Sequence, residues 1–228
     1  MKNNCHYDCN VITLDGPAGA GKSTVARLLA ERLGWEYLDT GALYRGITYF
    51  FLTRSIEATE EEKITIALKG CVVSLEDGIV FIDGRDVTAK IRSPEVDRAV
   101  SAYSSLPVVR DFLLETQRKV AKGKKLVAEG RDMGSVVFPE ASFKFFLDAS
   151  IDVRAARRWK EQKAMSEEVT LEEVKAQLSR RDQLDSEREL SPLRVPEEAL
   201  VIDTSEKTVD EVIAEILAIM AGRRSRWT

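Results

Sequence analysis

Short apolar runs recur along the chain, and each ends at a carboxylate or beside one. They are Val11–Asp15, Glu36–Asp39, Leu126–Glu129, Phe143–Asp148 and Leu200–Asp203. Apolar residues at helical spacing fill several of the intervals, at Ser23–Leu33, Pro107–Lys122, Asp152–Met165 and Thr208–Met220. Strands that alternate with helices predict a parallel, doubly wound α/β sheet that binds its ligands at the carboxyl ends of the strands.

Two segments depart from this alternation. Gly70–Ile91 has alternating apolar residues around two Asp-Gly pairs, which predicts a three-stranded antiparallel meander. Thr170–Pro192 is highly charged and opens with the capping box of Thr170 and Glu173, so it predicts a helix. On its pattern alone, this helix is typical of a solvated face with charge pairs one turn apart.

The tripeptide Gly-Arg-Asp occurs twice, at 84–86 and at 130–132. In the first copy Gly84 completes an Asp-Gly pair, so we expect Arg85 simply to leave a hairpin turn. The second copy follows the apolar run Leu126–Glu129, which places Arg131 at the carboxyl end of a predicted parallel strand. A functional role is therefore expected only for the second copy, with an ion pair to Glu129 as the alternative for Arg131.

Composition narrows the possible functions. The 228 residues are 44% hydrophobic and 32% charged with a net charge of −4, which favours a globular chain and gives no reason to expect nucleic-acid or membrane binding through bulk charge. The leader, residues 1–10, and the arginine-rich tail, residues 223–228, are expected to be disordered; the leader lacks a secretory pattern, and three cysteines suit a reducing cytoplasm. Cys5, His6 and Cys9 form either a metal site or, as we favour, an accidental cluster. Because His6 is the only histidine, catalysis is expected to use lysine, arginine, aspartate, serine and backbone amides.

The segment from Leu14 to Ser23 reads LDGPAGAGKS, with the spacing Gly-x-x-x-x-Gly-Lys-Ser between a predicted strand and a predicted helix. In that position a glycine-rich loop wraps its backbone amides around a polyphosphate, and the helix N-terminus adds partial positive charge. Lys22 can reach the outer phosphates, and Ser23 can hold Mg²⁺. The residues predicted to bind ATP are Gly16, Pro17, Ala18, Gly19, Ala20, Gly21, Lys22, Ser23 and Thr24.

Arginines follow the other predicted strands, as phosphoryl transfer requires, because charge spreads over the migrating group. Arg45 follows the second strand, Arg131 the third, and Arg154, Arg157 and Arg158 the fourth. With them come the separate motifs DGPAGAGKST, LDTGALYR, EGRDMGSVVFP, FLDAS and RRDQLDSER, the last shortly before SPL. In order and spacing, over about residues 11–220, these motifs resemble the bacterial cytidylate kinase family of nucleoside monophosphate kinases.

The resemblance implies a fold and a reaction. The fold is a P-loop nucleoside monophosphate kinase, with a five-stranded parallel sheet, the antiparallel meander as an insertion and a helical lid. Its core would comprise residues 11–60, 93–152 and 190–222, its monophosphate-binding insertion residues 61–92, and its lid region residues 153–189 with the lid itself at 160–170. The reaction transfers the γ-phosphoryl group of ATP to CMP or dCMP with Mg²⁺, in a monomer.

The resemblance also assigns site residues. Lys22, Arg131, Arg154 and Arg158 would act in catalysis, and Arg157 would join the loop in binding ATP, although the sequence leaves open which of the three arginines after the fourth strand contacts ATP. The acceptor would be bound by Thr40, Arg45, Ser101, Arg110, Arg131, Asp132, Arg181, Asp185 and Arg188. Within this set Ser101, Arg110 and Asp132 would read cytosine, and Arg181, Asp185 and Arg188 would share one stripe of the charged helix. Ser104 and Ser105 stay open as alternatives to Ser101.

Two residues depart from the family pattern, and two other functions stay open. Ser23 stands where many monophosphate kinases have glycine, so Ser23 or Thr24 alone would ligate Mg²⁺. Glu129 stands where aspartate is expected and would act on the metal through water. One alternative function is a kinase of the same fold that acts on UMP or another small acceptor. The other is a nucleotide-switched binding protein, which would leave the arginine array unexplained.

Overall fold

The computed structural model describes residues 10–76, 78–164 and 168–224. Its contacts divide the chain into two compact units, residues 1–37 with 123–228 and residues 38–122. The cluster of Cys5, His6 and Cys9, the first aspartate of the meander, part of the predicted lid and the end of the tail lie outside the described residues. In chain order the elements are β1 (Val11–Asp15), α1 (Lys22–Leu33), β2 (Glu36–Asp39), α2 (Thr40–Leu52), α3 (Glu61–Lys69), β3 (Val73–Glu76), β4 (Ile79–Ile82), β5 (Arg85–Asp86), α4 (Pro94–Ser104), α5 (Pro107–Ala121), β6 (Leu126–Glu129), a π-helix (Met133–Val137), β7 (Phe143–Asp148), α6 (Ile151–Ala164), α7 (Leu171–Glu187), β8 (Leu200–Asp203) and α8 (Val209–Arg224).

A five-stranded parallel sheet in the order β2-β6-β1-β7-β8 confirms the predicted fold class. All five strands have the predicted bounds. β1 lies in the centre and pairs in parallel with β6 and β7, with Leu14 opposite both Glu129 and Phe145. All five residues of β1 are buried, as expected for a strand with neighbours on both edges. The carboxyl end of β1 is therefore a rigid platform for the loop that follows it.

Helices α1 and α8 cover the sheet with apolar side chains. Val25 and Leu29 of α1 pack in one cluster with Ile213 and Ile216 of α8 and with the central strands. Gly34 ends α1 in the left-handed conformation, with φ of 64°, and its N–H reaches back to the last turn. The apolar periodicity of the sequence thus identified both helices correctly.

Helices α6 and α7 pack against each other and against the loop after β1. Ala18 shares an apolar cluster with Ala155 of α6 and with Val174 and Leu178 of α7. The predicted capping box at Thr170 is present. α7 ends at Glu187, so the predicted helical stripe is wrong in its last member: Arg188 lies one residue beyond the helix with extended backbone, φ −62° and ψ 140°.

The second unit contains the predicted meander. β3, β4 and β5 form an antiparallel sheet in that order, and Ile82 pairs with Arg85 across a two-residue turn. Asp83 and Gly84 both have positive φ, 50° and 74°, which fits the turn that matches the twist of the two strands. Arg85 is exposed. The first Gly-Arg-Asp copy is therefore a hairpin exit, as predicted.

Helices α2 to α5 complete this unit. Of these four helices the sequence pattern predicted only α5, and it did not predict α2, α3 or α4. α2 contains two glycines and gains its stability from burial, with Phe51 stacked on Tyr103 of α4 at 5.3 Å between ring centroids. The predicted insertion, residues 61–92, lies inside the unit of residues 38–122. Its functional boundaries stay a prediction.

Within the described ranges, none of the helices combines the length and the apolar character needed to span a bilayer.

Candidate active site

The loop between β1 and α1 has the backbone conformation that a phosphate-binding loop requires. Gly16, Gly19 and Gly21 have positive φ of 144°, 80° and 88°, and a Cβ on Gly16 would lie 2.0 Å from the carbonyl oxygen of Leu147. Lys22, the first residue of α1, is buried, and its Nζ donates to the carbonyl oxygen of Pro17 at 2.7 Å. The loop is thus pinned to the sheet, with its lysine folded back over it.

Electrostatics make Lys22 unusual. Burial, reinforced by the nearby charges of Arg131 and Arg181, lowers the pKa of Lys22 to about 7, although Glu129 and Asp15 act in the opposite direction. A cationic surrounding of this kind favours the arrival of a polyanion. The predicted phosphate-binding residues and Arg131 therefore belong to one electrostatic environment.

A serine and a glutamate lie together beside this loop. The hydroxyl of Ser23 donates to Oε1 of Glu129 at 2.6 Å, and the hydroxyl of Tyr37 lies 3.3 Å from the same oxygen. Thr24 is exposed on the next position of α1. A hydroxyl and a carboxylate supply the hard oxygen ligands that Mg²⁺ prefers while it keeps several waters. The donor set therefore fits a magnesium site with Ser23 and Glu129 at its protein side.

Arg131 lies beside an aspartate of the charged helix. Its Nε donates to Oδ2 of Asp185 at 3.0 Å, and the charge of Glu129 also acts on Arg131. Nη1 of Arg188 lies 3.8 Å from the other oxygen of Asp185. Burial alone would raise the pKa of Asp185, but Arg131, Arg181 and Arg188 lower it below its usual range. The structure thus brings four predicted acceptor residues into one cluster, despite the early end of α7.

The turn after β6 is held by Asp15, to which the sequence analysis assigned no role. The turn contains Asp132, which is 2% exposed, and the π-helix Met133–Val137 begins directly after Asp132. Both oxygens of Asp15 accept backbone N–H groups of this turn, from Met133 and Gly134, at 2.8 Å each. Burial raises the pKa of Asp15 to about 7, and those hydrogen bonds act against the rise. The sequence places Asp15 at the end of a predicted strand, but does not show that its partners are 118 and 119 residues away.

Arg154 is tied to the phosphate-binding loop by a second missed aspartate. Its Nη1 donates to the carbonyl oxygen of Ala18 at 3.1 Å and to the carboxylate of Asp182, while its Nε donates to Ala149 at 2.9 Å. The N–H of Ala18 lies 3.4 Å from the other oxygen of Asp182. Arg154 and Asp182 thus contact the carbonyl oxygen and the N–H of Ala18, in the middle of the phosphate-binding loop.

The remaining two arginines of α6 have different surroundings. Arg157 donates to the side-chain and carbonyl oxygens of Thr204 at 3.0 and 2.6 Å, and the hydroxyl of Thr204 in turn donates to Ala20 of the loop at 3.1 Å. Arg158 donates to Glu161 of its own helix at 3.1 Å. Arg157 is therefore connected to the loop through a buried threonine that the sequence did not indicate.

The other four predicted acceptor residues belong to the second unit. Arg45 forms an ion pair with Asp97 at 2.5 Å, and Thr40 is buried at the start of α2. Arg110 donates to the carbonyl oxygen of Ser104 at 3.0 Å and lies over the ring of Tyr44, 5.4 Å from its centroid. The carbonyl oxygen of Ser101 accepts from the hydroxyl of Ser104 at 3.3 Å. α4 and the start of α5 thus place Ser101 and Arg110 around the same serine.

Comparison of the sequence with models of known protein families shows which family the chain belongs to. The family model for cytidylate kinase matches residues 12–222. The chain belongs to the cytidylate kinase family. The cytidylate kinase of Caldanaerobacter subterraneus subsp. tengcongensis is 49% identical over 90% of this chain and 92% of its own. That of Carboxydothermus hydrogenoformans is 45% identical over 94% and 98%, and that of a Geobacillus species is 42% identical over 98% and 99%.

Solved structures support the fold. A gluconokinase from Sinorhizobium meliloti matches over 96% of this chain and 95% of its own chain, at 16% identity and a TM-score of 0.50. An uncharacterized protein from Eubacterium ventriosum matches with a TM-score of 0.52 and 13% identity over 94% and 99% of the two chains. These likenesses concern the fold alone. Membership of the cytidylate kinase family makes the chain a phosphotransferase.

Membership of the cytidylate kinase family explains why the first unit combines a glycine-rich loop with buried cationic side chains. A nucleotide phosphate must be bound by amides and cations, and the glycine-rich loop, Lys22 and the buried arginines supply both. No histidine base is needed, because a phosphate acceptor is ionised near neutral pH. The arrangement can therefore hold, orient and neutralise phosphoryl groups without proton chemistry of its own.

Proposed function

We propose that this chain transfers the γ-phosphoryl group of ATP to CMP or dCMP, with Mg²⁺, and yields CDP or dCDP. The single observation that carries the proposal is the cluster in which Arg131 and Asp185 lie beside the phosphate-binding loop and its lysine. Membership of the cytidylate kinase family supports the choice of acceptor. An acceptor such as UMP is not favoured by that relationship.

The donor side rests on the loop from Gly16 to Thr24. Its amides and Lys22 would hold the β- and γ-phosphates, and Ser23 with Glu129 would hold the magnesium ion that neutralises them. Arg154, Arg157 and Arg158 stay proposals for the neutralisation of the migrating group. The contact of Arg154 with the Ala18 peptide favours Arg154 as the arginine nearest the donor phosphates.

The acceptor side rests on arginines that bind phosphate oxygens and on polar groups that read the base. Arg131 and Arg45 are proposed to grip the acceptor phosphate, because a planar guanidinium can bind two oxygens at once. Ser101, Arg110 and Asp132 are proposed to distinguish the amino group of cytosine from the carbonyl of uracil. A site built for polar partners rejects the wrong base, since the mismatch leaves its groups unpaired. Thr40, Arg181 and Arg188 complete the proposed set, and Asp185 with Arg181 would hold the ribose hydroxyls.

A coupled assay of ADP release tests the proposal. ATP and Mg²⁺ are offered with CMP, dCMP, UMP, AMP or GMP, and CMP or dCMP is expected to give the highest kcat/KM. EDTA is expected to abolish turnover, and added Mg²⁺ to restore it. Faster turnover of UMP or AMP than of CMP would contradict the acceptor assignment, and full activity in EDTA would contradict the metal.

We further propose a cytoplasmic monomer that binds neither nucleic acid nor membranes. The net charge of −4 supports the absence of bulk electrostatic attraction to polyanions. Light scattering coupled to gel filtration is expected to give about the mass of one 25.5 kDa chain. A mass near twice that value would refute the monomer.

A further inference from the structure

Asp15 is a fully buried carboxylate whose charge favours the protonated form of Lys22, but whose two hydrogen bonds go to a different part of the chain. It is 0% exposed at the carboxyl end of β1. One of its oxygens accepts the N–H of Met133 and the other that of Gly134, both at 2.8 Å. These are the first two residues after Arg131 and Asp132. Asp15 therefore holds the backbone from which two proposed acceptor-binding side chains extend.

The support under this contact is rigid. β1 is the central strand, and the next residue, Gly16, is so close to β7 that a Cβ would lie 2.0 Å from the carbonyl oxygen of Leu147. On the other side of the turn, a Cβ on Gly134 would lie 2.9 Å from the hydroxyl of Thr13 and 3.1 Å from Pro196. Both ends of the contact are closely packed, so a side chain at position 15 that cannot accept both N–H groups would displace the turn.

The choice of a carboxylate is costly for the fold. Burial raises the pKa of Asp15 to about 7, and the charge of Asp132 raises it further. The π-helix is only five residues long, so it has few N–H groups to satisfy, and a neutral side chain could cap it without a buried charge. However, only a carboxylate offers two oxygens that both accept. Two amides held in fixed positions are useful where the preceding side chains must meet a ligand in one geometry.

We propose that Asp15 is a positioning residue, which sets the orientation of Arg131 and Asp132 toward the acceptor nucleotide through its two hydrogen bonds to the turn. The inference rests on the proposed function, since Arg131 and Asp132 must bind the acceptor for their orientation to matter. Asp15 itself touches neither reacting atom. The loss of Asp15 should therefore affect the acceptor, and the recognition of cytosine above all, more than ATP.

The Asp15→Asn variant tests this directly. Asparagine keeps the shape but presents an NH₂ group to one of the two N–H groups, which forces the turn to move. We expect kcat/KM for CMP to fall about 10- to 100-fold, as for other residues that orient a binding group through another. The ratio of kcat/KM for CMP to that for UMP should fall at least about threefold, because the side chains that read the base change their orientation. The ratio is the informative quantity, because inactive protein cancels from it.

Thr13→Val is the matched control. Thr13 lies two residues earlier on the same strand and is buried, and its hydroxyl has no hydrogen-bond partner among the described residues. Removing this hydroxyl should leave both kinetic constants and the selectivity ratio unchanged. If Thr13→Val alters the ratio as much as Asp15→Asn does, any disturbance of β1 produces the effect and the positioning role is wrong.

The outcomes separate this inference from the proposed function. If the wild type does not phosphorylate CMP, the proposed function fails. If the wild type is active and Asp15→Asn lowers kcat equally for CMP and UMP with an unchanged ratio, Asp15 only stabilises the fold and the inference is overturned. Should Asp15→Asn not fold, Asp15→Ser, whose hydroxyl oxygen can accept one N–H while its own proton rotates away from the turn, is measured instead. An unchanged ratio in Asp15→Ser overturns the inference equally.

Discussion

Arg131 and Arg85 occupy the middle of the two Gly-Arg-Asp tripeptides, and their replacement by alanine should have opposite consequences. Arg131 donates to Asp185 at 3.0 Å, and the side chains of the pair are 18% and 7% exposed. Arg85 is exposed on the two-residue strand β5. We expect Arg131→Ala to lose both stability and turnover, and Arg85→Ala to lose neither.

The size of the stability effect follows from what is left behind. Removing one partner of a buried ion pair costs about 3–5 kcal/mol, because the other charge stays buried without compensation. Asp185 keeps Arg188 at 3.8 Å and the charge of Arg181, so we expect a lower value. A loss of about 2–3 kcal/mol would lower Tm by roughly 5–10 °C in a chain of this length. Arg85→Ala should stay within about 0.5 kcal/mol.

The kinetic effect should exceed the loss of folded protein. A preorganised cation at a phosphoryl group is comparable to an oxyanion donor, whose removal costs about 10²- to 10³-fold in kcat. ADP release is measured well below the Tm of both variants, and urea unfolding gives the folded fraction. Activity of Arg131→Ala above one tenth of wild type would refute the catalytic role. A comparable loss in Arg85→Ala would refute the distinction between the two copies.

Three further predictions follow from single contacts. Ser23→Ala removes the hydroxyl that lies 2.6 Å from Glu129, and the Mg²⁺ concentration for half-maximal activity should rise about tenfold; an unchanged Mg²⁺ titration would argue for Thr24. Burial lowers the pKa of Lys22 to about 7, so most of it is neutral in the free protein at pH 8, and ATP should bind there with uptake of up to about one proton. Calorimetry in buffers of different ionisation enthalpy measures this uptake, and a binding enthalpy independent of buffer would contradict it. Burial raises the pKa of Cys71 to about 12, so iodoacetamide at pH 8 should modify Cys71 in urea but not in the native protein, as peptide mass spectrometry would show; equal rates would contradict the assigned burial.

Local pattern predicted the strands because each is a short buried run with a polar end. It did not predict α2, whose sequence TGALYRGITYFFL contains two glycines and several β-branched residues and forms a helix through tertiary burial. It also extended the charged helix to Pro192, whereas the helix ends at Glu187, because charge spacing alone does not show where a helix ends. The extended backbone of Arg188 still brings its guanidinium to Asp185. The four residues therefore lie together although the helix ends before Arg188, and their role toward the acceptor stays a prediction.

The missed residues share one physical property, which is that their partners are distant in sequence. Asp15 binds a turn 118 residues later, Asp182 binds a loop 164 residues earlier, and Thr204 binds Ala20 across 184 residues. No spacing or periodicity encodes such a pair, since parallel strands bring their ends together only after the sheet has formed. The residues that a motif identifies are those expected to touch the nucleotides, whereas the residues that hold them in place require the fold.

The two Gly-Arg-Asp copies show why the fold must be known before a residue is assigned. At Asp83-Gly84 two left-handed residues reverse the chain, and Arg85 is exposed where the chain leaves the turn. At Gly130 the chain instead continues beside β1, with the N–H of Gly130 donating to Leu14 at 3.1 Å. That pairing carries Arg131 past the end of β6, to the edge of the sheet from which the phosphate-binding loop also leaves. The strand pairing, and not the tripeptide, therefore determines which arginine can meet a phosphate.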